Sequence, residues 1–276
     1  MPRTILAEAL LAETGRSIDD LPRNSTKGKL FRREGVRPRA EFERIRALPR
    51  REWSEADAEH LATLLTNKLR TSSGTQRLFT QQAIVLAELV DCSGAVARLP
   101  IGQGKTLVTF LAPTVLCAKR PLLLTPAKLV EKTQREFKKL REHWKGPERL
   151  EILSYEKLSR EKQADFLDRY QPDLIMCDEA HRAKNPRSGR GRRLKRYIKA
   201  NSTIFLPLSG TLARRSLLEY AHLAEWSLGP NSPVPHTSGA AYVELDEFRR
   251  ALDEKCQEQE KMAPGCLEAF APGGDL

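Results

Sequence analysis

The distribution of apolar residues along the chain changes character near residue 78. From there to about residue 226, short apolar runs alternate with amphipathic stretches, which is typical of parallel strands joined by helices. The apolar runs predict strands at 95–99, 121–125, 150–154, 173–177 and 203–208. The stretches between them predict helices at about 79–90, 105–113, 127–142, 161–170, 190–199 and 216–226. The pattern therefore predicts an α/β fold, one doubly wound domain with a mainly parallel sheet flanked by helices.

Residues 1–75 carry a different pattern and predict a helical, basic N-terminal accessory segment. Ser54 with Asp57 resembles a helix capping box, and Leu61, Leu64, Leu65 and Leu69 form an apolar stripe behind it. Basic residues mixed with Pro, Gly, Ser and Asn fill much of residues 23–39. This run is interpreted as a solvated linker, with an auxiliary DNA contact as the alternative.

The net charge is strongly positive, since 47 Lys and Arg face 36 Asp and Glu for a formal charge of +11. Such an excess favours a polyanionic partner, nucleic acid above all. The five cysteines are widely spaced without a C-x-x-C pair, which indicates reduced thiols and a cytoplasmic or nucleoid-associated protein. No stretch reaches the roughly 20 apolar residues that span a bilayer, so no membrane partner is expected.

The first chemical motif follows the strand predicted at 95–99. Gly102-Gln103-Gly104-Lys105-Thr106 leads from that strand into a helix. Glycines let the backbone curl around an anion and turn its N–H groups inward, and the helix N-terminus adds partial positive charge. Lys105 adds a mobile cation, and Thr106 offers a hydroxyl to Mg²⁺. The stretch therefore predicts a phosphate-binding loop, although Leu99 stands where the full pattern has its first glycine.

Two further motifs follow later strands, where ligands bind in such sheets. Asp178-Glu179 comes directly after the run at 174–177, which places Asp178 near the phosphate loop to hold Mg²⁺ and Glu179 to orient or deprotonate water. Ser209-Gly210-Thr211 follows the strand at 203–208. It is interpreted as a relay that hydrogen-bonds the acidic loop and senses the nucleotide, with a simple turn as the alternative.

Taken in order, these motifs resemble those of superfamily 2 helicases and translocases, specifically the first RecA-like domain of the DEAH and Swi/Snf-type group. The matching stretches are Leu78–Gln82, Leu99–Thr106 (motif I), Leu122–Ala127 (motif Ia), Ile152–Glu156, Asp178–His181 (motif II) and Leu208–Thr211 (motif III). One departure is Leu212, where Swi/Snf-type members usually carry Pro. The likeness covers a little over half of the chain.

The resemblance implies ATP and Mg²⁺ as cofactors and assigns roles to individual residues. Gln82 would read the adenine edge, while Lys105, Asp178 and Glu179 would carry catalysis with Mg²⁺ held by Thr106 and Asp178. His181, Ser209, Gly210 and Thr211 would couple the nucleotide state to DNA. The DNA-side motifs would contribute contacts from Thr125, Lys128, Ser154 and Tyr155. Duplex DNA is the favoured partner.

The run from Lys184 to Lys199 is the densest positive stretch, with eight Lys or Arg and no acidic residue. Its predicted DNA contacts are Lys184, Arg187, Arg190, Arg192, Arg193 and Arg196. Similar Lys-Asn elements follow motif II in Swi/Snf-type members, which favours phosphate binding over the alternative of a generic solvated face.

The resemblance also implies a second RecA-like lobe that supplies an arginine finger and half of the DNA track. We place the ATP-binding domain at residues 76–230 and a linker or tail at 231–276, too short for that lobe. We therefore expect a truncated, split or excised motor, or a domain whose partner lobe is another polypeptide. The sequence thus predicts the ATP-binding lobe of a DNA-dependent ATPase that is weakly active or inactive alone. The alternatives are a non-catalytic ATP- or DNA-binding regulatory module and, more distantly, a P-loop kinase.

Overall fold

The computed structural model describes residues 44–45, 47–49, 51–100, 102–210 and 218–234, with only the backbone of residues 218 and 219. The chain divides into two compact units, and the fold below is the larger one, residues 50–214 with 219–232. Most of the predicted segment 1–75, Thr211 and the tail beyond residue 234 lie outside the described residues.

The centre of this unit is a five-stranded sheet in which every neighbouring pair is parallel. The strand order is β1-β5-β4-β2-β3. The strands are β1 (Ala97–Arg98), β2 (Pro121–Thr125), β3 (Glu151–Ser154), β4 (Leu174–Asp178) and β5 (Ile204–Ser209). Each falls on a predicted apolar run, and the predicted fold class is confirmed.

Helices connect the strands and cover both faces of the sheet. They are α1 (Glu55–Leu69), α2 (Thr80–Cys92), α3 (Lys105–Val115), α4 (Val130–His143), α5 (Tyr155–Ser159), α6 (Phe166–Tyr170), α7 (Gly189–Ala200) and α8 (Leu218–Leu228). Short 3₁₀ turns occupy Ala127–Leu129, Glu161–Gln163, Ala180–Ala183 and Gly229–Asn231. None of the helices in the described part of the chain is long and apolar enough to cross a membrane.

Two hydrophobic clusters lie on opposite faces of the sheet because successive strand side chains point to opposite sides. One face contributes Leu123 and Met176 to a cluster with Phe110 of α3 and Phe137 of α4. The other contributes Ile175 and Cys177 to a cluster with side chains of α5 to α8, namely Tyr155, Leu158, Leu167, Leu194, Tyr197, Leu223 and Trp226. Helices therefore pack on both sides of the sheet, as the alternating pattern predicts.

Two local predictions differ from the structure. The helix predicted at 161–170 is replaced by a 3₁₀ turn at Glu161–Gln163 and by α6, which begins only at Phe166. The predicted helix behind Ser54 is present as α1, and the Ser54 hydroxyl accepts the N–H of Asp57. However, Thr66 on its buried face accepts the backbone N–H of Leu78, so α1 packs within the same unit as the sheet. The structure therefore extends this unit upstream of the boundary that we drew at residue 76.

Candidate active site

The loop between β1 and α3 has the backbone that a phosphate-binding loop requires. Gly102 and Gly104 have φ values of +88° and +68°, the left-handed region that favours glycine. Gly104 is also the residue that caps α3, so the partially positive end of that helix faces the loop. A Cβ at Gly104 would lie 2.1 Å from Nε2 of Gln82, which excludes any side chain there without rearrangement.

Lys105, the first residue of α3, folds back over this loop. Its Nζ donates to the carbonyl of Leu99 at 3.0 Å and lies 3.5 Å from that of Pro100. The N–H of Gln103 donates to Pro100 as well, which closes the turn. The ammonium therefore lies against the loop backbone.

Asp178 ends β4, in the middle of the sheet, and its carboxylate is held by two donors. The hydroxyl of Thr125 donates to Oδ2 at 3.4 Å, and the N–H of Glu179 donates to Oδ1 at 3.0 Å. Burial raises the pKa of Asp178, and the neighbouring charge of Glu179 raises it further, while the Glu179 N–H and then the positive charge of Lys105 lower it. Because β1, β5 and β4 are parallel neighbours in the sheet, the phosphate loop and the acidic strand end follow strands at the same edge.

Glu179 follows Asp178 and has a left-handed backbone conformation, with φ +52°. Its side chain is the first of three polar side chains that lie next to one another. Its Oε2 lies 3.2 Å from Nδ1 of His181, and the same nitrogen lies 3.4 Å from the hydroxyl of buried Ser209 at the end of β5. The acidic loop and the Ser-Gly-Thr motif are therefore adjacent through His181 and Ser209. The coupling role assigned to them stays a prediction, and Thr211 lies outside the described residues.

Gln82 lies between the start of α2 and the phosphate loop. It is 2% exposed, its Oε1 accepts the N–H of Phe79, and its Nε2 donates to the carbonyl of Gln103 at 3.0 Å. Both ends of the amide are therefore used to tie the start of α2 to the phosphate loop. Its contact with the phosphate loop is observed, and contact with a base stays a prediction.

A cleft of about 530 Å³ opens beside the phosphate loop. Its lining includes Thr106, Gln82, Gln76, Arg77 and Phe79, together with side chains of α4. Phe79 is 55% exposed, an unusual position for a large apolar ring. Phe79, Gln76 and Arg77 were not among the predicted site residues, and their place just before Gln82 is the signal that could have identified them.

Two of the predicted DNA contacts are wrong because the side chains point into the domain. Thr125 and Tyr155 are fully buried, and both bond to Asp178: Thr125 to its carboxylate and Tyr155 to its carbonyl oxygen. Ser154 caps α5 by accepting the N–H of Lys157. Lys128, in the turn after β2, is exposed and remains compatible with the prediction.

The basic run divides into two groups. Three predicted contacts bond to the protein itself: Arg190 donates to the carbonyl of Arg182, Arg193 to those of Leu158 and Arg160, and Arg196 to Asp168. Within the described part of the chain, four exposed cations of the run have side chains with no hydrogen bond or ion pair, namely Arg187, Arg192, Lys195 and Lys199. Lys184 is exposed as well. The outward-facing charge therefore includes Lys195 and Lys199, which the sequence analysis did not single out.

Comparison with known proteins identifies the family to which the chain belongs. The family model of the type III restriction enzyme res subunit matches residues 76–214, half of the chain. The DNA repair and recombination protein RAD54B of Gallus gallus is 28% identical over 153 residues, covering 44% of this chain and 16% of that protein. The Homo sapiens RAD54B is 29% identical over 140 residues, covering 39% and 15%. The chain thus spans about one sixth of the length of these curated relatives.

Two solved structures of the UvsW helicase from bacteriophage T4 are also similar. One aligns with a TM-score of 0.42 at 18% identity, covering 59% of this chain and 62% of the other. The second aligns with a TM-score of 0.44 at 17% identity, covering 62% and 37%. Since the family model spans half of the chain and includes all the motifs described above, the chain belongs to the type III restriction enzyme res subunit family, and residues 76–214 correspond to the first RecA-like domain of superfamily 2 helicases.

Proposed function

We propose that this chain is the ATP-binding lobe of a DNA-dependent ATPase of superfamily 2, of the Swi/Snf-like type. One observation carries the proposal: the phosphate loop with Lys105 and the strand end with Asp178 and Glu179 lie at the same edge of the sheet. Cations and carboxylates placed together in this way suit a magnesium nucleotide, whose phosphates need both.

The donor set fits Mg²⁺ with ATP. The described residues contain no group of three or more His, Cys, Asp or Glu side chains that could hold a metal by themselves. Mg²⁺ at such sites is usually held by one or two protein oxygens together with substrate phosphates and water. Asp178 and the hydroxyl of Thr106 would supply the protein oxygens, and bound Mg²⁺ would neutralise charge that develops on the phosphates.

Three side chains would bind the phosphates, activate the water and position the acidic group. Lys105 would leave the Leu99 carbonyl and donate to the phosphate oxygens, where its hydrogen bonds become charge-assisted on both sides. Glu179 would orient the attacking water and accept its proton. His181 would hold the Glu179 carboxylate at 3.2 Å and link it to Ser209.

Full turnover would require a second RecA-like lobe, as a partner domain or polypeptide. An arginine finger from such a lobe stabilises charge that develops only in the transition state and is worth about 10³ to 10⁵ in rate. Duplex DNA would bridge the two lobes, and ATP-driven closure of the cleft would move the protein along it. On this side of the DNA track the exposed cations of the basic run would contact phosphates.

Calorimetry of ATP–Mg²⁺ binding tests the proposal. Lys105→Ala should abolish measurable binding, whereas Lys145→Ala should not, although Lys145 also donates to a backbone carbonyl, that of Lys68, away from the site. Glu179→Gln should keep ATP bound and remove the Mg²⁺-dependent release of phosphate. ATP binding that is equal in the parent and Lys105→Ala would refute the assignment of the site.

A further inference from the structure

Tyr155 connects two strands at the edge of the sheet that carries the candidate site. It begins α5 directly after β3 and is fully buried. Its hydroxyl donates to the carbonyl oxygen of Asp178 at 2.8 Å. The peptide group between Asp178 and Glu179 is therefore fixed by a side chain outside motif II.

Arg190 holds the same loop at its other end. Its Nε donates at 2.9 Å to the carbonyl of Arg182, in the 3₁₀ turn that follows Glu179. The guanidinium also lies over the ring of Tyr155, with Cζ 5.9 Å from the ring centroid, within the range of a cation–π contact. Tyr155 and Arg190 therefore contact each other while each bonds to one side of the Glu179 loop.

The loop also has a fixed attachment beyond this pair. Nε2 of His222, buried in α8, lies 3.0 Å from the carbonyl oxygen of Ala183. Glu179 itself has a left-handed backbone conformation, which is unfavourable for a residue with a side chain. Such a conformation persists only where its surroundings impose it, and the contacts to Asp178, Arg182 and Ala183 impose it here.

Arg190 belongs equally to the basic run. In the sequence it stands between Arg187 and Arg192, whose side chains are both exposed. A Cβ at Gly191 would lie 2.4 Å from the carbonyl oxygen of Asn185, so the basic loop packs tightly on the first turn of α7. Phosphates that bind to the exposed cations would therefore act on the first turn of α7, and Arg190 lies in that turn.

We propose that Tyr155 and Arg190 are positioning residues that set the orientation of Glu179 and transmit occupancy of the basic run by a nucleic-acid backbone to the ATP site. The proposal rests on the proposed function, since it needs both ATP and nucleic acid to bind. Arg190 would have two arrangements, one on the Arg182 carbonyl and one turned toward bound phosphate. These would give the Glu179 loop two states, and ATP and nucleic acid would each shift the population between them.

Thermodynamic linkage tests this directly and does not depend on turnover. The affinity for ATP–Mg²⁺ is measured by calorimetry with and without a saturating short duplex oligonucleotide, for the parent, Tyr155→Phe and Arg190→Ala. The duplex should change the parent's Kd for ATP by at least about fivefold, a usual size for coupling between two sites, and should change that of either variant by less than about twofold.

Two control variants separate coupling from stability and charge. Tyr197→Phe also removes a buried hydroxyl that donates to a backbone carbonyl, that of Pro172. Arg169→Ala removes an equal charge outside the basic run, at a residue of α6 that pairs with Asp165. Both controls should retain the parent's response to duplex, and thermal melting should show similar stability losses for the two Tyr→Phe variants.

The possible failures are distinguishable. A parent protein that binds no ATP or no duplex refutes the proposed function, and this proposal with it, before any variant is compared. A parent that binds both without linkage, or variants at Tyr155 and Arg190 that respond to duplex as the parent does, overturns the positioning role alone.

Discussion

Gly102 and Gly104 form a matched pair for measuring how much stability is lost when a glycine of the phosphate loop is replaced by Ala. Both have positive φ, so Ala at either position must adopt a left-handed backbone, which costs about 1 kcal/mol. Their surroundings differ: a Cβ at Gly102 meets no heavy atom within 4 Å, whereas one at Gly104 would lie 2.1 Å from Gln82 Nε2.

The clash at Gly104 adds two further costs. Gln82 must withdraw its amide from the Gln103 carbonyl, a loss of about 1 kcal/mol for a partly buried hydrogen bond, and its displaced side chain must repack, for about 1 kcal/mol more. We expect Gly102→Ala to lower the free energy of unfolding by about 1 kcal/mol and Gly104→Ala to lower it by about 3 kcal/mol. In a domain of this size the difference between them corresponds to about 4–8 °C in Tm.

Denaturant unfolding of five proteins tests this argument: the parent, the single variants Gly102→Ala, Gly104→Ala and Gln82→Ala, and the double variant at positions 82 and 104. Combining Gly104→Ala with Gln82→Ala removes the obstructing side chain, so Gly104→Ala should then cost only the backbone term of about 1 kcal/mol. The double-mutant cycle should therefore give a coupling of about 2 kcal/mol between positions 82 and 104. Equal costs for the two glycines in the parent, or additive effects in the cycle, would show that Gln82 does not brace the loop.

Two further predictions concern the charges of the domain. Arg192→Ala with Lys195→Ala should weaken duplex binding and lower the slope of log K against log salt by about 0.9 for each DNA phosphate that is no longer neutralised. The matched control is Arg135→Ala with Lys138→Ala, two cations that are also exposed and three residues apart but lie on α4. This control should leave the slope unchanged. Equal losses of affinity in the two double variants would indicate a generic effect of net charge. Asp178→Asn should raise the free energy of unfolding of the metal-free protein at pH 7, measured in urea. The pKa of Asp178 is raised in the folded chain, so its ionised form is less favourable there than in the unfolded chain. This gain should shrink as the pH falls through the raised pKa toward the ordinary value of 3.8, and a gain that does not depend on pH would contradict the burial of the charge.

The strands were predictable because a parallel strand covered on both faces is apolar at every position. Pro121–Thr125 and Leu174–Asp178 are buried almost throughout, and the predicted strands end within one residue of the observed ones. Helix α5 was missed since five residues between a strand and a turn carry no periodicity long enough to identify. The local sequence therefore determined the elements that the sheet buries completely and left the short connections undetermined.

The directions of side chains at the strand ends were less predictable. Thr125 and Tyr155 lie in the motifs expected to contact DNA, yet both reach Asp178 on a neighbouring element. Arg193 likewise bonds to carbonyls more than 30 positions earlier in the sequence. Such contacts depend on how β3, β4 and α7 pack. The spacing of motifs along the sequence carries no information about that packing.

The strand order of the sheet has a consequence for how the site is assembled. The phosphate loop follows β1 and Asp178 ends β4, and β5 lies between these two strands although it is the last of the sheet to be synthesised. A growing chain that ends before Ile204 already contains both loops but lacks the strand that sets their spacing. Affinity for nucleotide should therefore emerge in one step, when residues 204–209 enter the sheet. Nucleotide that binds only the completed sheet would then favour this last insertion by mass action, so that the ligand of the site would also stabilise the fold that forms the site.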